Sequence, residues 1–313
     1  MPAPRDVTFG RNEDFDVVIA TCGYERRSSY LCRLGVRGRE KLAIVYPDTD
    51  GGSFSANLTS YHASDWALSD LKEALRTADA AWSSGAASKV AIDISSMPRE
   101  IIGRVVQWLS EAVDRQPLDV HFIYCPGEFG ASARAATVVS PMSAGPISPF
   151  YAGLLRAPSI PIGLVVGLGL EPHRAAGVIE LLEPARTWLF SAAMGDHRFE
   201  KASADLHSSI LGSTSPHDAF AYDVRSLMET YSMLESLAFG VSLNYRLIFA
   251  PSGPKLFALA CLLIGAERDA ERPAVWRVGS TKKPIPMDVE EAGEVCAAVV
   301  RFGTEPSMAS SRD

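Results

Sequence analysis

The chain has 313 residues, 47% of them hydrophobic and 21% charged, with 24 Gly, 20 Pro and a formal net charge of −7. This length suggests two domains, and the composition excludes collagen-like, coiled-coil and disordered chains. The negative charge argues against a surface that grips nucleic acid along its length, and leaves room for a local anion site.

The opening stretch MPAPRDVTFGRNEDFD lacks the apolar core of a signal peptide, so a cytoplasmic protein is expected. FDVVIATCG reads as an apolar strand ending at Gly23, and helical ERRSSYLCRLG follows. KLAIVYPD is the next strand, after which a Gly/Ser loop leads to a predicted helix, SDWALSDLKEAL. VAIDISSMPREIIGRVVQWL reads as strand, turn and amphipathic helix, and DVHFIYCPG as a further strand. Pro and Ser then cluster between Ser140 and Pro161, which marks a boundary. Beyond it come the strand IGLVVGLG with helical LEPHRAAGVIELLEP, the strand RTWLFSAAMGD, and predicted helices in FEKASADLHSSIL and VRSLMETYSMLESLAFG. YRLIFAPSGPKLFALACLLIG and AVWRVGSTK complete the second half. The longest apolar run, Leu256 to Ala266, is too short to cross a bilayer.

Matching these segments pairs Gly23 with Gly169, Ala43 with Trp188, Ser95 with Ser252 and Val120 with Ala274. Four strand-like runs recur in one order, alternating with helices, as parallel sheets covered on both faces require. The predicted fold class is α/β, with two tandem Rossmann-like units of mostly parallel sheet related by an internal pseudo-repeat. The units are expected at 1–145 and 146–301, followed by a polar tail, 302–313, expected to be disordered.

The five cysteines include no C-x-x-C pair, and no His sits near enough to complete a zinc pattern, so neither a disulfide nor a structural metal is expected. Cys261 and Cys296 lie in apolar, helical-looking surroundings and read as small buried hydrophobes, and Cys22 and Cys125 as packing residues after strands.

In open α/β sheets ligands bind beyond the carboxyl ends of the strands. Four loops qualify. TCGYERRSS offers Gly23 for a tight turn, with Arg26 and Arg27, whose guanidinium forks suit phosphate. DISSMPRE offers Ser95, Ser96 and Arg99 as an anion or ribose contact, and the same serines and Pro98 suit a purely structural helix cap. GLGLEPHR contains Gly167-x-Gly169, but Pro172 replaces the third Gly of a dinucleotide fingerprint, so no nicotinamide cofactor, nor any other, is expected. His173 reads as a polar cap or surface residue. APSGPK is the most specific: Gly253 permits close backbone approach, Ser252 and the helix N-terminus offer donors, and Lys255 a positive charge, without Walker spacing.

GLGLEPHRAAGVIELLEP and APSGPKLFALACLLI resemble the first strand–turn–helix and a later strand–turn–helix of CRISPR-associated Rossmann fold (CARF) domains. The related SAVED domains of cyclic-nucleotide defence systems are likewise built from two such units. DISSMPRE departs from that pattern, with Ser96 where Gly253 sits and Arg99 one position beyond the Lys255 equivalent. The resemblance implies a sensor of cyclic oligonucleotide messengers in antiphage defence, with phosphate and ribose contacts from Arg26, Arg27, Ser95, Ser96, Arg99, Gly169, Ser252, Gly253 and Lys255. Two units fill the chain, so such a sensor is expected to act through an effector protein partner, or to degrade its own ligand as a metal-independent phosphodiesterase of the ring-nuclease kind. Two other readings stay open: a nucleotide or nucleoside hydrolase using Asp48, Asp93, His62 or Asp196, and a protein-interaction scaffold. No membrane and no extended nucleic acid is expected as a partner.

Overall fold

A computed structural model describes residues 3–23, 25–45, 57, 61–64, 88–111, 117–130, 142–153, 157–171, 173–267, 272–280, 288–292 and 294–303. Asp48, the His62 side chain, residues 65–75 of the first predicted helix and the tail from 304 lie outside them.

The chain folds into two sheets. The first has seven strands, in the order β1 (Arg5–Val7), β13 (Cys296–Phe302), β6 (Leu118–Tyr124), β5 (Ser88–Asp93), β2 (Asp14–Cys22), β3 (Arg37–Val45), β4 (His62–Ser64). The second has six: β10 (Ala219–Asp223), β9 (Arg186–Ala193), β8 (Ile162–Leu168), β11 (Arg246–Pro251), β12 (Ala274–Ser280), β7 (Met142–Pro146). Neighbours run parallel except that β13 is antiparallel to β1 and β6, and β7 to β12. The fold is α/β with two mostly parallel Rossmann-like sheets. Val17, Val18, Ile19 and Ala20 on β2, and Leu164, Val165 and Val166 on β8, are buried on both faces, which is why these strands read as unbroken apolar runs.

One plan underlies both sheets, because β4-β3-β2-β5-β6 corresponds in order to β10-β9-β8-β11-β12, each with an antiparallel strand beyond. The registers agree closely. Ile19 lies between Leu42 and Ile92, and Val165 between Trp188 and Phe249. Gly23 and Gly169 therefore occupy equivalent places after β2 and β8, and Ser95 and Ser252 after β5 and β11. Trp188 corresponds to Leu42 rather than to Ala43, a shift of one residue. The sheets do not divide at residue 145, because β13 returns to the first sheet and β7 edges the second. Cys296, expected among helical neighbours, opens β13.

Helix α2 (Arg99–Glu111) follows β5, and its counterpart α7 (Lys255–Gly265) follows β11. Every residue of α7 from Leu256 to Gly265 is buried, as befits a helix apolar all round. The two helices pack together, and Gly103 permits this, since a Cβ there would lie 3.3 Å from the Leu262 side chain. One core runs through both sheets, including Val17, Ile92, Phe122, Trp188, Phe249 and Leu262. Of the shorter helices, α1 (Tyr30–Arg33) follows a 3₁₀ turn at Arg26–Ser29, α3 (Arg174–Leu182) follows β8, and α4 (His197–Leu206) and α5 (Ser208–Ser213) follow β9. Helix α6 (Leu227–Val241) packs on α7, and Asp6 of β1 caps it by accepting from the Leu227 and Met228 N–H groups at 2.9 and 3.1 Å.

Candidate functional site

Each sheet reverses its winding between two central strands, β2 and β5 in one and β8 and β11 in the other, and such switch points open a crevice at the carboxyl ends. The two crevices meet. A half-open cleft of about 230 Å³ is lined by Glu25 and Arg27 after β2, Arg99 at the start of α2, Tyr124 and Gly127 at the end of β6, Gly169 to Glu171 after β8, Met194 and Phe199 after β9, Ser252 to Lys255 after β11, and Val289. A larger groove of about 490 Å³ runs beside α6, lined by Glu235, Phe239, Glu267 and Arg272, and none of the four loops singled out in the sequence reaches it.

The two half-loops clasp each other at the floor. The Arg99 guanidinium donates to the Ser252 and Gly253 carbonyls, and Lys255 Nζ donates to the Ser95 carbonyl. Each cation thus reaches from its own half into the opposite one. Arg99 Nε and the Ser252 hydroxyl are buried there without a hydrogen-bond partner, as is the Tyr222 hydroxyl beneath Gly253. Arg27, almost buried, pairs with Glu25 and donates to the Cys125 carbonyl at 3.1 Å. Glu171 pairs with Arg174 at 3.0 Å.

Burial dominates the electrostatics. It pushes Lys255 down to about 7, with Arg27 and Arg99 adding to the effect and Glu25 and Asp93 opposing it. Burial also pushes Asp93 up to about 6, against hydrogen bonds from Ser95 and the charges of Lys255 and Arg27. For Glu25 burial acts upward, yet Lys255 and Arg27 together hold its carboxyl below the usual range. Lys255 near neutrality can exchange a proton at the cleft floor, while Arg27 and Arg99 supply permanent charge.

The sequence candidates divide. Arg27, Arg99, Gly169, Ser252, Gly253 and Lys255 line the cleft together. Arg26 does not, since it points to the surface and pairs with Asp288 and Glu290. Ser95 is buried beneath the floor, its hydroxyl accepting from the Cys125 N–H at 2.8 Å, and Ser96 bonds Thr21. Gly23 is buried at the end of β2 and is not among the lining residues. The two glycines answer to neighbouring protein backbone: a Cβ on Gly169 would lie 2.4 Å from the Ser252 carbonyl oxygen, and one on Gly253 2.7 Å from that of Leu168. His207 Nε2, 3.0 Å from the Gly169 carbonyl, braces the same turn. His173 starts α3 in the left-handed region and makes no side-chain cap. Asp196 caps α4 and bonds Arg198, outside the cleft lining.

Glu25, Glu171, Tyr124 and Phe199 are lining residues that the sequence reading missed. For the two glutamates a signal existed, because the Gly23–Gly169 match carries Glu25 onto Glu171 two residues later. Among the described residues no three His, Cys, Asp or Glu side chains are grouped to hold a metal ion, and no helix is long and apolar enough to cross a membrane.

No protein-family model matches the chain, and no curated protein does. A solved structure, the functionally unknown protein PA1789 from Pseudomonas aeruginosa PAO1, is similar at 8% identity over 84% of this chain and 92% of that one, with a TM-score of 0.25.

Proposed function

We propose that the protein is a receptor for a cyclic nucleotide messenger of bacterial antiphage defence, bound in the cleft between the two pseudo-equivalent halves. The observation that carries this reading is the crossed pair Arg99 and Lys255, each reaching the opposite half around the unpartnered Arg99 Nε and Ser252 hydroxyl. A buried donor without an acceptor calls for one, and a phosphodiester oxygen is the acceptor that a cationic floor favours. The pseudo-two-fold arrangement suits a ligand that is itself two-fold. The cleft is smaller than the roughly 300–1,000 Å³ of sites that enclose drug-sized ligands, so sugar and phosphate sit inside while the bases extend over the open rim. Output through a partner protein belongs to the same proposal, supported by the apolar spot that Phe239 and Leu243 expose at the end of α6 (86% and 77% exposed).

Calorimetry with cyclic di-, tri- and tetranucleotides, followed by chromatography of the recovered ligand, tests the reading. A receptor binds at least one and returns it intact, and absence of binding across the panel rejects the assignment. A second reading, metal-independent ring cleavage, is favoured by Lys255 on the cleft lining, with its pKa lowered to about 7. The ligand's own ribose 2′-hydroxyl would attack phosphorus and lose its proton to solvent, the bond to the 5′-oxygen would break, and Lys255 would protonate that oxygen. Linear products formed in the presence of a chelator would select it.

A further inference from the structure

The register of the two sheets places Glu25 and Glu171 at equivalent positions, each two residues beyond the glycine that follows its strand, and both line the one cleft. Each also has a cationic partner, although the two partners are not register equivalents. Glu25 is held by Arg27 of the following turn and Glu171 by Arg174 at the start of α3, so each carboxylate is fixed by an arginine close by in sequence. An ionised carboxylate only accepts hydrogen bonds. The floor's unpartnered groups, Arg99 Nε and the hydroxyl of the buried Ser252, can donate, whereas these two glutamates put acceptors on the same lining.

Resting on the receptor reading, we propose that Glu25 and Glu171 are a matched pair of acceptors that read adjacent N–H donors on the two halves of the ligand, which selects a guanine-bearing cyclic dinucleotide. The Watson–Crick edge of guanine presents two neighbouring donors, the ring N1–H and the 2-amino group, to the two oxygens of a carboxylate. Adenine presents an acceptor at N1, which a carboxylate repels. A site built to accept from donors discriminates strongly against an analogue that lacks them, because its polar groups are then left unpaired.

The test measures affinities of cyclic di-GMP, cyclic di-IMP (which keeps N1–H and lacks the amino group) and cyclic di-AMP for the wild type, Glu25→Gln, Glu171→Gln and Lys255→Ala. The expected order of affinity in the wild type is guanine, hypoxanthine, adenine. Glu171→Gln keeps the side-chain shape and should weaken cyclic di-GMP by roughly tenfold to a hundredfold without weakening cyclic di-AMP, whose N1 the amide no longer repels. Glu25→Gln should act likewise, but it also leaves Arg27 less compensated, so Glu171→Gln decides, with each variant's melting curve as a folding control. Lys255→Ala should lower all three affinities alike, because it touches the phosphate. Equal binding of the guanine and adenine ligands, or equal losses for both in Glu171→Gln, overturns the carboxylate assignment and leaves the receptor reading standing. If none of the three binds, the guanine assignment falls, and the larger rings decide the receptor reading separately.

Discussion

Arg26 and Arg27 are adjacent in sequence and opposite in consequence. A 3₁₀ turn of three residues per turn sets successive side chains about 120° apart, so one guanidinium faces solvent and the other the cleft. The Arg26 side chain is 58% exposed and that of Arg27 10%. Arg26→Ala should therefore change stability by less than about 1 kcal/mol, whereas Arg27→Ala takes one of two cationic neighbours from the largely buried Glu25 and a donor from the Cys125 carbonyl, and should lose about 3 kcal/mol, as urea denaturation will measure. Lys255 supplies a pH signature. Its ordinary value is 10.5, and the folded protein lowers it to about 7, so between these values the unfolded chain binds the extra proton. Stability should rise with pH across that window, and the full penalty should be present below it. Lys255→Met removes the group, so urea midpoints at pH 7, 8 and 9 should climb less steeply than in the wild type. An unchanged slope would mean that the ammonium is hydrated. Lys255, Arg99 and Ser252 were legible in the sequence because strand–turn–helix junctions announce themselves through Pro, Gly and Ser. The direction of Arg26 was not, since neighbouring side chains on a short turn have no periodicity long enough to reveal a face.

Among the elements, the parallel strands β2, β3, β5, β8, β9, β11 and β12 could be read as apolar runs because burial on both faces leaves no polar alternation. The edge strands β1 and β4 escaped, and so did β13 beside β1. β1 and β4 are three residues long, and β13, CAAVVRF, opens with alanines that suit a helix as well as a strand, so a short apolar run leaves its type open. The loops after β8 and β11 illustrate a related limit. Their glycines signalled close approach, but the approaching group is the protein's own backbone. Gly253→Ala places a methyl 2.7 Å from the Leu168 carbonyl oxygen and should destabilise the protein by about 1–3 kcal/mol through overpacking, measured by the guanidinium midpoint. A neutral result would mean that the two turns can separate.

The whole molecule behaves as one body with two centres. The shared core, the α2–α7 contact, the Asp6 cap on α6 and the crossed reach of Arg99 and Lys255 all join one half to the other. Unfolding should accordingly be a single cooperative transition, with equal calorimetric and van't Hoff enthalpies, and two resolved peaks would separate the halves. The return of β13 to the first sheet carries a topological consequence. Taken cyclically from β13, the chain reads as an antiparallel strand followed by one parallel set, β2 to β6, and then antiparallel β7 followed by the next, β8 to β12. The present order is thus a circular permutation of two consecutive identical plans, with β1 as an added flap. Because Arg5 lies beside Val299 in antiparallel register, a short hairpin can join the end of β13 to the start of β1. A permutant so linked, and opened within residues 281–287, should fold to the same structure with its repeats contiguous. Circular dichroism and retained cleft binding would establish it, and an insoluble product would show that the β12–β13 connection guides assembly.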